Sequence, residues 1–262
     1  MPSLGSYFFR YNQHKSQLGF NEKYLNHNLL AFYQSDGERL LLDDYFPMKI
    51  KKYLAEEFYC LSEILSQESF YSSIFEIACG DARNIRLAIK HNLNYYGIDL
   101  VEKSIESAKS KISNNKLIKK SLVKCLSALH LNLENTPVPE DEQPLCIFPF
   151  NSVGNIGNAP LLFKILEKLR YDFAFSIYKN SENSISARME YYSQCGLSNI
   201  QIHHDQNGVI FTSNEGLKSI AYNINYLYTL VDLTKYQIFI HDIDEIGTLF
   251  YAKLNRNIMN KR

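Results

Sequence analysis

The stretch FEIACGDARNI, Phe75–Ile85, decides the fold class. It has the pattern of a buried strand, a turn with small residues at Ala78, Gly80 and Ala82, and then a helix. Small residues at such a turn let a ligand approach the backbone closely. A dinucleotide-binding turn of the G-x-G-x-x-G type would place its third glycine at Arg83, so the sequence disfavours a dinucleotide cofactor.

A second predicted strand, in YYGIDL, ends in Asp99, about 20 residues beyond Gly80. A carboxylate at that spacing can accept hydrogen bonds from both hydroxyls of a ribose, because it projects from the strand end beside the first turn. The alternative is an ordinary N-cap for the helix that begins in VEKSIESAK. We favour the ribose interpretation, so the site is expected to bind a nucleoside.

From Ser72 onward, short apolar runs alternate with helical stretches, which is typical of a parallel sheet with crossover helices. The predicted strands are Ile74–Ala78, Asn94–Asp99, Leu122–Leu126, Leu145–Phe150 and Phe173–Ile177. The predicted helices between them are Ala82–His91, Lys103–Ser113, Ala159–Leu169 and Ser184–Cys195.

The pattern becomes antiparallel after Cys195. Asn207-Gly208, a strong hairpin signal, lies between two alternating runs. Further strands are predicted at Leu217–Asn223, Tyr236–His241 and Thr248–Leu254, the last two as a hairpin that closes the main sheet.

Towards the N-terminus, a helix is predicted around Asn21–Gln34. A stronger one opens at Pro47, with apolar residues at steps of three and four.

Composition restricts the partners. Lys and Arg number 28, as do Asp and Glu, so no overall basic excess favours a nucleic-acid partner. The N-terminus lacks the pattern of a signal peptide and no apolar run is long enough to cross a bilayer, so we expect a cytoplasmic protein without a membrane partner.

Cysteine and histidine give little evidence for metal or acid–base chemistry. The five cysteines are dispersed without a C-x-x-C pair, which argues against disulfides and a zinc site. His203 and His204 are adjacent in a predicted strand and should point to opposite faces, so no metal is expected. The histidines offer no convincing general base, and the catalytic residue is left unassigned. This favours an amine or an already acidic acceptor.

EIACGDARNI followed by YYGIDLVEKSIESAKSKI resembles the class I S-adenosylmethionine-dependent methyltransferases, over about residues 70–180. The resemblance implies an α/β, Rossmann-like methyltransferase fold, with a mostly parallel seven-stranded sheet and helices on both faces. It implies S-adenosyl-L-methionine as cofactor and S-adenosyl-L-homocysteine as product. Glu76, Ala78, Gly80 and Asp81 would line the methionine moiety; Asp99, with Leu100 beside it, would hold the ribose.

The chain departs from the family pattern in two places. The family commonly has three glycines in the first motif, whereas this chain keeps only Gly80, between Ala78 and Ala82. Alanine is a mild change at negative φ and a problem at positive φ. After the third strand the family often has an acid near the adenine. CLSAL offers Ser127 and Ala128 there, and a serine hydroxyl can meet the adenine amino group.

The fourth predicted strand ends in FPFNS, which resembles small-molecule members of the family, where this loop forms the floor between cofactor and acceptor. Phe150 and Asn151 are therefore predicted to bind the cofactor, Asn151 touching both ligands. An Asn-Ser turn is the alternative.

Arg83-Asn84 resembles a G-R-N variant of the first motif. Arg83 either pairs with the cofactor carboxylate or is an exposed helix residue.

The resulting hypothesis is a methyltransferase that acts on a small-molecule acceptor, an amine or an acidic nucleophile, mainly by proximity and orientation. We expect a helical extension or lid over residues 1–66 and a cofactor-binding domain over 67–262, with a substrate-side β insertion at about 198–232. Candidate wall residues of the acceptor pocket are Tyr33, Tyr45, Tyr178 and Tyr222. The alternatives are a protein or nucleic-acid methyltransferase and a non-catalytic binding protein for the cofactor or its product. The oligomeric state is left open.

Overall fold

A computed structural model describes residues 29–256. The strands are β1 (Ser73–Ile77), β2 (Asn94–Asp99), β3 (Ser121–Cys125), β4 (Pro144–Phe148), β5 (Asp172–Tyr178), β6 (Gln201–Asp205), β7 (Gly208–Thr212), β8 (Lys218–Tyr222), β9 (Tyr236–Ile243) and β10 (Gly247–Leu254). A seven-stranded sheet has the order β3-β2-β1-β4-β5-β10-β9, and β6-β7-β8 form a separate three-stranded sheet. The first five strands pair in parallel, whereas β10 is antiparallel to β5 and β9.

The helices are α1 (Met48–Gln67), α2 (Ile85–His91), α3 (Glu102–Ser113), α4 (Ser152–Ile156), α5 (Ala159–Leu169), α6 (Glu182–Gln194) and α7 (Ile224–Tyr228). Neighbouring residues of β1 belong to different hydrophobic clusters, because successive strand residues face opposite sides of the sheet. Ile74 packs in the cluster that contains residues of α1, α2 and α3, and Phe75 in the cluster that contains those of α5. Within residues 29–256, no helix is both long and apolar enough to cross a membrane.

The predicted parallel strands, crossover helices and closing hairpin are confirmed, with ends that differ by a few residues. The strand predicted to reach Phe150 ends at Phe148, because Pro149 lacks the N–H that a ladder requires. The helix predicted from Ala82 begins at Ile85, because Ala82 has φ 61° and cannot be helical.

The hairpin formed by β6 and β7 turns one residue earlier than predicted. Its loop residues are Gln206 and Asn207, since Asp205 Oδ1 accepts hydrogen bonds from the backbone N–H groups of Asn207 and Gly208 and so fixes the turn. Of the helix predicted around Asn21–Gln34, residues 29–33 are helical, and residues 21–28 lie outside the described part of the chain.

The extension and the sheet share one hydrophobic core. Ile50, Tyr53 and Leu61 of α1 are buried in the first cluster beside residues of β1 and β10. The division of the chain at residue 66 stays a prediction.

The three-stranded sheet is docked against the loop that follows β4. Asn151 Nδ2 donates to Ser219 Oγ at 3.2 Å and to the carbonyl of Ile220 at 3.1 Å. Gly154, in α4, lies so close to β8 that a Cβ there would meet the carbonyl oxygen of Ile220 at 1.9 Å. The insertion is therefore held over the carboxyl end of β4, where the cavity described below opens.

We predict that Gly154→Ala lowers the free energy of unfolding by about 3 kcal/mol, because the methyl group must displace backbone rather than a flexible side chain. Guanidinium chloride unfolding would measure the change. The control Lys164→Ala, at an exposed position of α5, should stay within about 0.5 kcal/mol of the parent chain. Equal stability of Gly154→Ala and the parent would contradict the close contact.

Candidate active site

One cavity opens at the carboxyl ends of the parallel strands, where the loops after β1, β2, β3 and β4 meet. All but one of the predicted cofactor residues line it: Glu76, Ala78, Gly80, Asp81, Arg83, Asp99, Leu100, Ser127, Ala128 and Phe150. The structure thus brings together residues that are spread over more than seventy positions of the sequence. Their contacts with a cofactor remain a prediction.

In the turn after β1, every second residue has a backbone conformation in the left-handed region. Ala78 has φ 58°, Gly80 has φ 53° and Ala82 has φ 61°. Both alanines therefore have the unfavourable sign of φ, which costs about 1–2 kcal/mol at each position. At Gly80 an added Cβ would meet nothing within 4 Å, so the backbone of this residue faces open cavity.

Asp99 joins this turn to the end of β2. Its Oδ2 accepts from the backbone N–H of Gly80 at 2.9 Å, and its Oδ1 accepts from that of Val101 at 2.9 Å. Burial raises the pKa of the Asp99 carboxyl. Val101, not Asp99, is the N-cap residue of α3, so the N-cap alternative does not describe this carboxylate.

Glu76 is buried inside β1 and faces the cavity. Its Oε1 accepts from Asn84 Nδ2 at 2.8 Å, and its Oε2 accepts from the Tyr95 hydroxyl. Burial raises the pKa of the Glu76 carboxyl to about 7. These two hydrogen bonds link Glu76, before the turn, to Asn84 after the turn and to Tyr95 in β2.

Arg83 is neither helical nor freely exposed, since it precedes α2 and its side chain is 23% exposed. Its guanidinium donates to the carbonyl of Leu41 at 2.6 Å and lies 3.3 Å from the Asp43 carboxylate. It also lies 4.9 Å from the centroid of the Phe46 ring. The exposed-helix alternative is therefore wrong, and a cationic group stands at the cavity wall.

Asn151 is the predicted site residue that does not line the cavity. Its backbone has φ 57° and its side chain is buried, with the amide bound to β8 and to the N–H of Tyr178 at 3.4 Å. The amide nitrogen of Asn151 thus binds β8 and its amide oxygen binds β5, so these hydrogen bonds join the loop to both strands, and the contact of Asn151 with the two ligands stays a prediction.

Sequence patterns missed Glu57, which lines the cavity from α1. Its Oε1 accepts from the backbone N–H of Phe150 at 2.8 Å and from the Ser176 hydroxyl. Burial raises the pKa of the Glu57 carboxyl to about 7. A signal was available, since position 57 lies four residues after Tyr53 and four before Leu61, on the apolar face of the helix.

Aromatic rings form one part of the cavity wall. Tyr33, Phe150, Tyr178, Tyr191 and Tyr192 line it. Ring centroids are 5.6 Å apart for Phe150 and Tyr191, and 6.4 Å apart for Phe150 and Tyr178. The Tyr178 hydroxyl is buried without a partner among the described residues. Of the candidate wall residues, Tyr33 and Tyr178 are in place, whereas Tyr45 and Tyr222 lie outside the lining.

The lining is acidic. Its described residues include the carboxyl groups of Glu57, Glu76, Asp81 and Asp99, against the guanidinium of Arg83. Such an arrangement favours a cationic ligand. In the described part of the chain, no cluster of three His, Cys, Asp or Glu residues is arranged to hold a metal ion.

Solved structures with the same arrangement of elements share little sequence with this chain. A protein of Pyrococcus horikoshii superposes with a TM-score of 0.55 at 12% identity, covering 81% of this chain and 94% of that one. A methyltransferase of Aquifex aeolicus, dependent on S-adenosylmethionine, superposes with a TM-score of 0.53 at 11% identity, covering 83% and 97%. The chain has the class I methyltransferase fold.

A third similar structure is the glycopeptide N-methyltransferase MtfA in complex with S-adenosyl-L-homocysteine, with a TM-score of 0.51 at 9% identity, covering 76% of this chain and 89% of that one. No protein-family model and no curated protein matches the sequence. At these identities the methyltransferase fold is common to the chains, and the chemistry must be argued from the cavity itself.

We predict that Ala78→Gly raises the free energy of unfolding by about 1 kcal/mol, because glycine accepts φ 58° without strain. Little packing is lost, since Ala78 is an exposed residue of the cavity wall. Thermal unfolding would measure the gain. Ala128→Gly, in the same cavity but at negative φ, should instead lose about 0.5–1 kcal/mol. Destabilisation of both variants would contradict the strain at Ala78.

A second prediction concerns pH. The pKa of Glu76 rises from 4.5 to about 7 on folding, so between these values the folded chain holds a proton that the unfolded chain has released. Stability therefore falls as pH rises through this window. We predict that Glu76→Gln reduces this fall by up to about 3 kcal/mol. Guanidinium chloride unfolding at pH 5 and pH 8 tests it; an identical pH dependence of the variant and the parent would contradict it.

Proposed function

We propose that this protein is an S-adenosylmethionine-dependent methyltransferase that acts on a small-molecule acceptor. The observation that carries the proposal is the open backbone of Gly80 beside the Asp99 carboxylate, at the carboxyl edge of a methyltransferase-fold sheet. A nucleoside ligand needs both features, a backbone it can touch and an acid that accepts from its ribose hydroxyls. The complex of the similar MtfA with S-adenosyl-L-homocysteine supports the choice of cofactor.

The lining residues suit the parts of this cofactor. The turn at Gly80 would hold the methionine moiety, Asp99 the ribose, and Ser127 the adenine amino group. Arg83 is the lining cation that can meet the cofactor carboxylate. When bound, the cofactor supplies an electrophilic methyl group, which forms a bond to the acceptor as the S–C bond breaks and its electron pair stays on sulfur.

The aromatic part of the cavity is an argument that the protein binds a methyl acceptor as well as the cofactor. Phe150 follows the end of β4. Its ring centroid lies 5.9 Å from the guanidinium carbon of Arg83 and 5.6 Å from the ring centroid of Tyr191 in α6. A non-catalytic binding protein would not need this second, apolar space beside the nucleoside part. The chain's own contribution to the rate would be alignment of the two ligands and exclusion of water.

The test is calorimetric titration with S-adenosyl-L-methionine and, separately, S-adenosyl-L-homocysteine. We expect both to bind, and Asp99→Ala to weaken binding by about 10- to 100-fold, roughly 1–3 kcal/mol, because the ribose hydroxyls lose their acceptor. A matched control is Asp205→Ala. Asp205 also accepts from two backbone N–H groups, but in the hairpin turn outside the cavity.

The two aspartate variants separate binding from folding. Both lose two backbone hydrogen bonds, so both should lose stability, but only Asp99→Ala should lose affinity. Equal affinity of Asp99→Ala and the parent chain would show that Asp99 only joins the two loops. Failure of the parent chain to bind either compound would overturn the methyltransferase proposal.

A further inference from the structure

We propose that Glu57 binds the acceptor's ammonium group and accepts a proton from it, so that the acceptor is an amine. The inference rests on the proposed function, because it assigns the acceptor half of the same cavity. It narrows the acceptor from any small nucleophile to an amine, and it assigns a catalytic residue, which the sequence patterns left unassigned.

The position of Glu57 is the first argument. The carboxyl group reaches the cavity from α1. It accepts a hydrogen bond from the backbone N–H of Phe150, one of the aromatic residues that line the cavity. Both of its assigned hydrogen bonds, from Phe150 and from Ser176, go to Oε1. Among residues 29–256 no donor is assigned to Oε2, which leaves this oxygen for a ligand.

The chemistry of the site is the second argument. The structural role of Glu57 needs a single acceptor oxygen, which a glutamine would supply. Burying a carboxylate instead carries a desolvation cost that an amide avoids. The side chain is only 2% exposed, so the cost is not relieved by water. A carboxylate is justified here if it meets a cation or takes a proton.

The surroundings favour a cation over an anion. The rings of Phe150 and Tyr191 line the same part of the cavity, and ring faces attract ammonium groups. The carboxyl groups of Glu76, Asp81 and Asp99 also line the cavity, and under the proposed function the Arg83 guanidinium is assigned to the cofactor carboxylate. An anionic acceptor would meet this excess of acids.

The groups that face Glu57 also set its protonation. The charges of Arg83 and Arg86 favour its ionised form, but burial outweighs them and raises its pKa to about 7. Its other titratable neighbours are Tyr53, Glu76, Tyr178 and Cys60. At neutral pH the carboxyl therefore stands between its two states, which is where a group that accepts a proton is most effective.

The proton transfer is balanced within the site. An acceptor enters as an ammonium ion and donates one N–H proton to the Glu57 carboxylate, which yields a neutral amine and a carboxylic acid. The electron pair of the broken N–H bond stays on nitrogen and becomes the attacking lone pair. The proton leaves Glu57 to water when the product departs.

The test uses sinefungin, a cofactor analogue in which a carbon bearing an amino group replaces the methylated sulfur. This ammonium group probes the place where methyl group and acceptor nitrogen meet. We expect sinefungin to bind the parent chain at least about 10-fold more tightly than S-adenosyl-L-homocysteine at pH 8, through its contact with the ionised Glu57. The ratio of the two affinities should shrink at pH 6, where Glu57 is mostly protonated.

In Glu57→Gln, we expect the ratio to fall towards one and to lose its pH dependence, while the affinity for S-adenosyl-L-homocysteine stays unchanged. A purely structural role would change both affinities together and leave the ratio intact. The control Glu142→Gln replaces a buried carboxyl group outside this cavity and should keep the parent ratio.

The outcomes distinguish the two proposals. A ratio that is the same in the parent and in Glu57→Gln, or independent of pH in the parent, would overturn the role of Glu57 and leave the proposed function standing. The pH comparison needs only the parent chain, so a ratio that does not change with pH overturns the role of Glu57 even where the variant does not fold. Binding of neither compound to the parent would overturn both proposals.

Discussion

The cavity depends on one hydrogen bond, from the backbone N–H of Gly80 to the Asp99 carboxylate. It joins the turn after β1 to the end of β2, two strands that pair in parallel with Ile77 opposite Ile98. Parallel pairing brings the two strand ends to the same edge, and the hydrogen bond then fixes how far the turn opens. Without it, Gly80 would not be held with its open side towards the cavity.

The turn itself is strained, because Ala78 and Ala82 both have positive φ. Ala82 is fully buried, so its methyl group recovers packing energy that offsets part of the cost of its positive φ. Ala78 has no such compensation, because its methyl group lies at the cavity wall. Strain that packing does not compensate is often found where a side chain contacts a ligand. Ala78 is thus better explained by the shape of the cavity than by the stability of the fold.

Much of the fold could be predicted from the sequence, because its signals are local. A strand, a turn of small residues, a helix and an acid at the next strand end all lie within Phe75–Asp99. Glu57 and Tyr191 could not be placed in the site this way, since they reach the cavity from helices that are distant in sequence. Asn151 lies outside the cavity lining for a related reason. Its motif was recognised, but its amide hydrogen-bonds to β8, and that pairing depends on tertiary structure.

Glu57, Glu76 and Asp99 share one cavity, and burial raises the pKa of each carboxyl group. Glu57 and Glu76, ionised together, would repel one another, so both carboxyl groups favour the protonated form more than free carboxyl groups do when the site holds no compensating charge. A cationic ligand reverses this balance, because it stabilises the ionised forms. Binding of a sulfonium or an ammonium ion is therefore coupled to proton release from the same carboxyl groups. Buried acids of this kind favour a cationic ligand over an anionic ligand of the same shape.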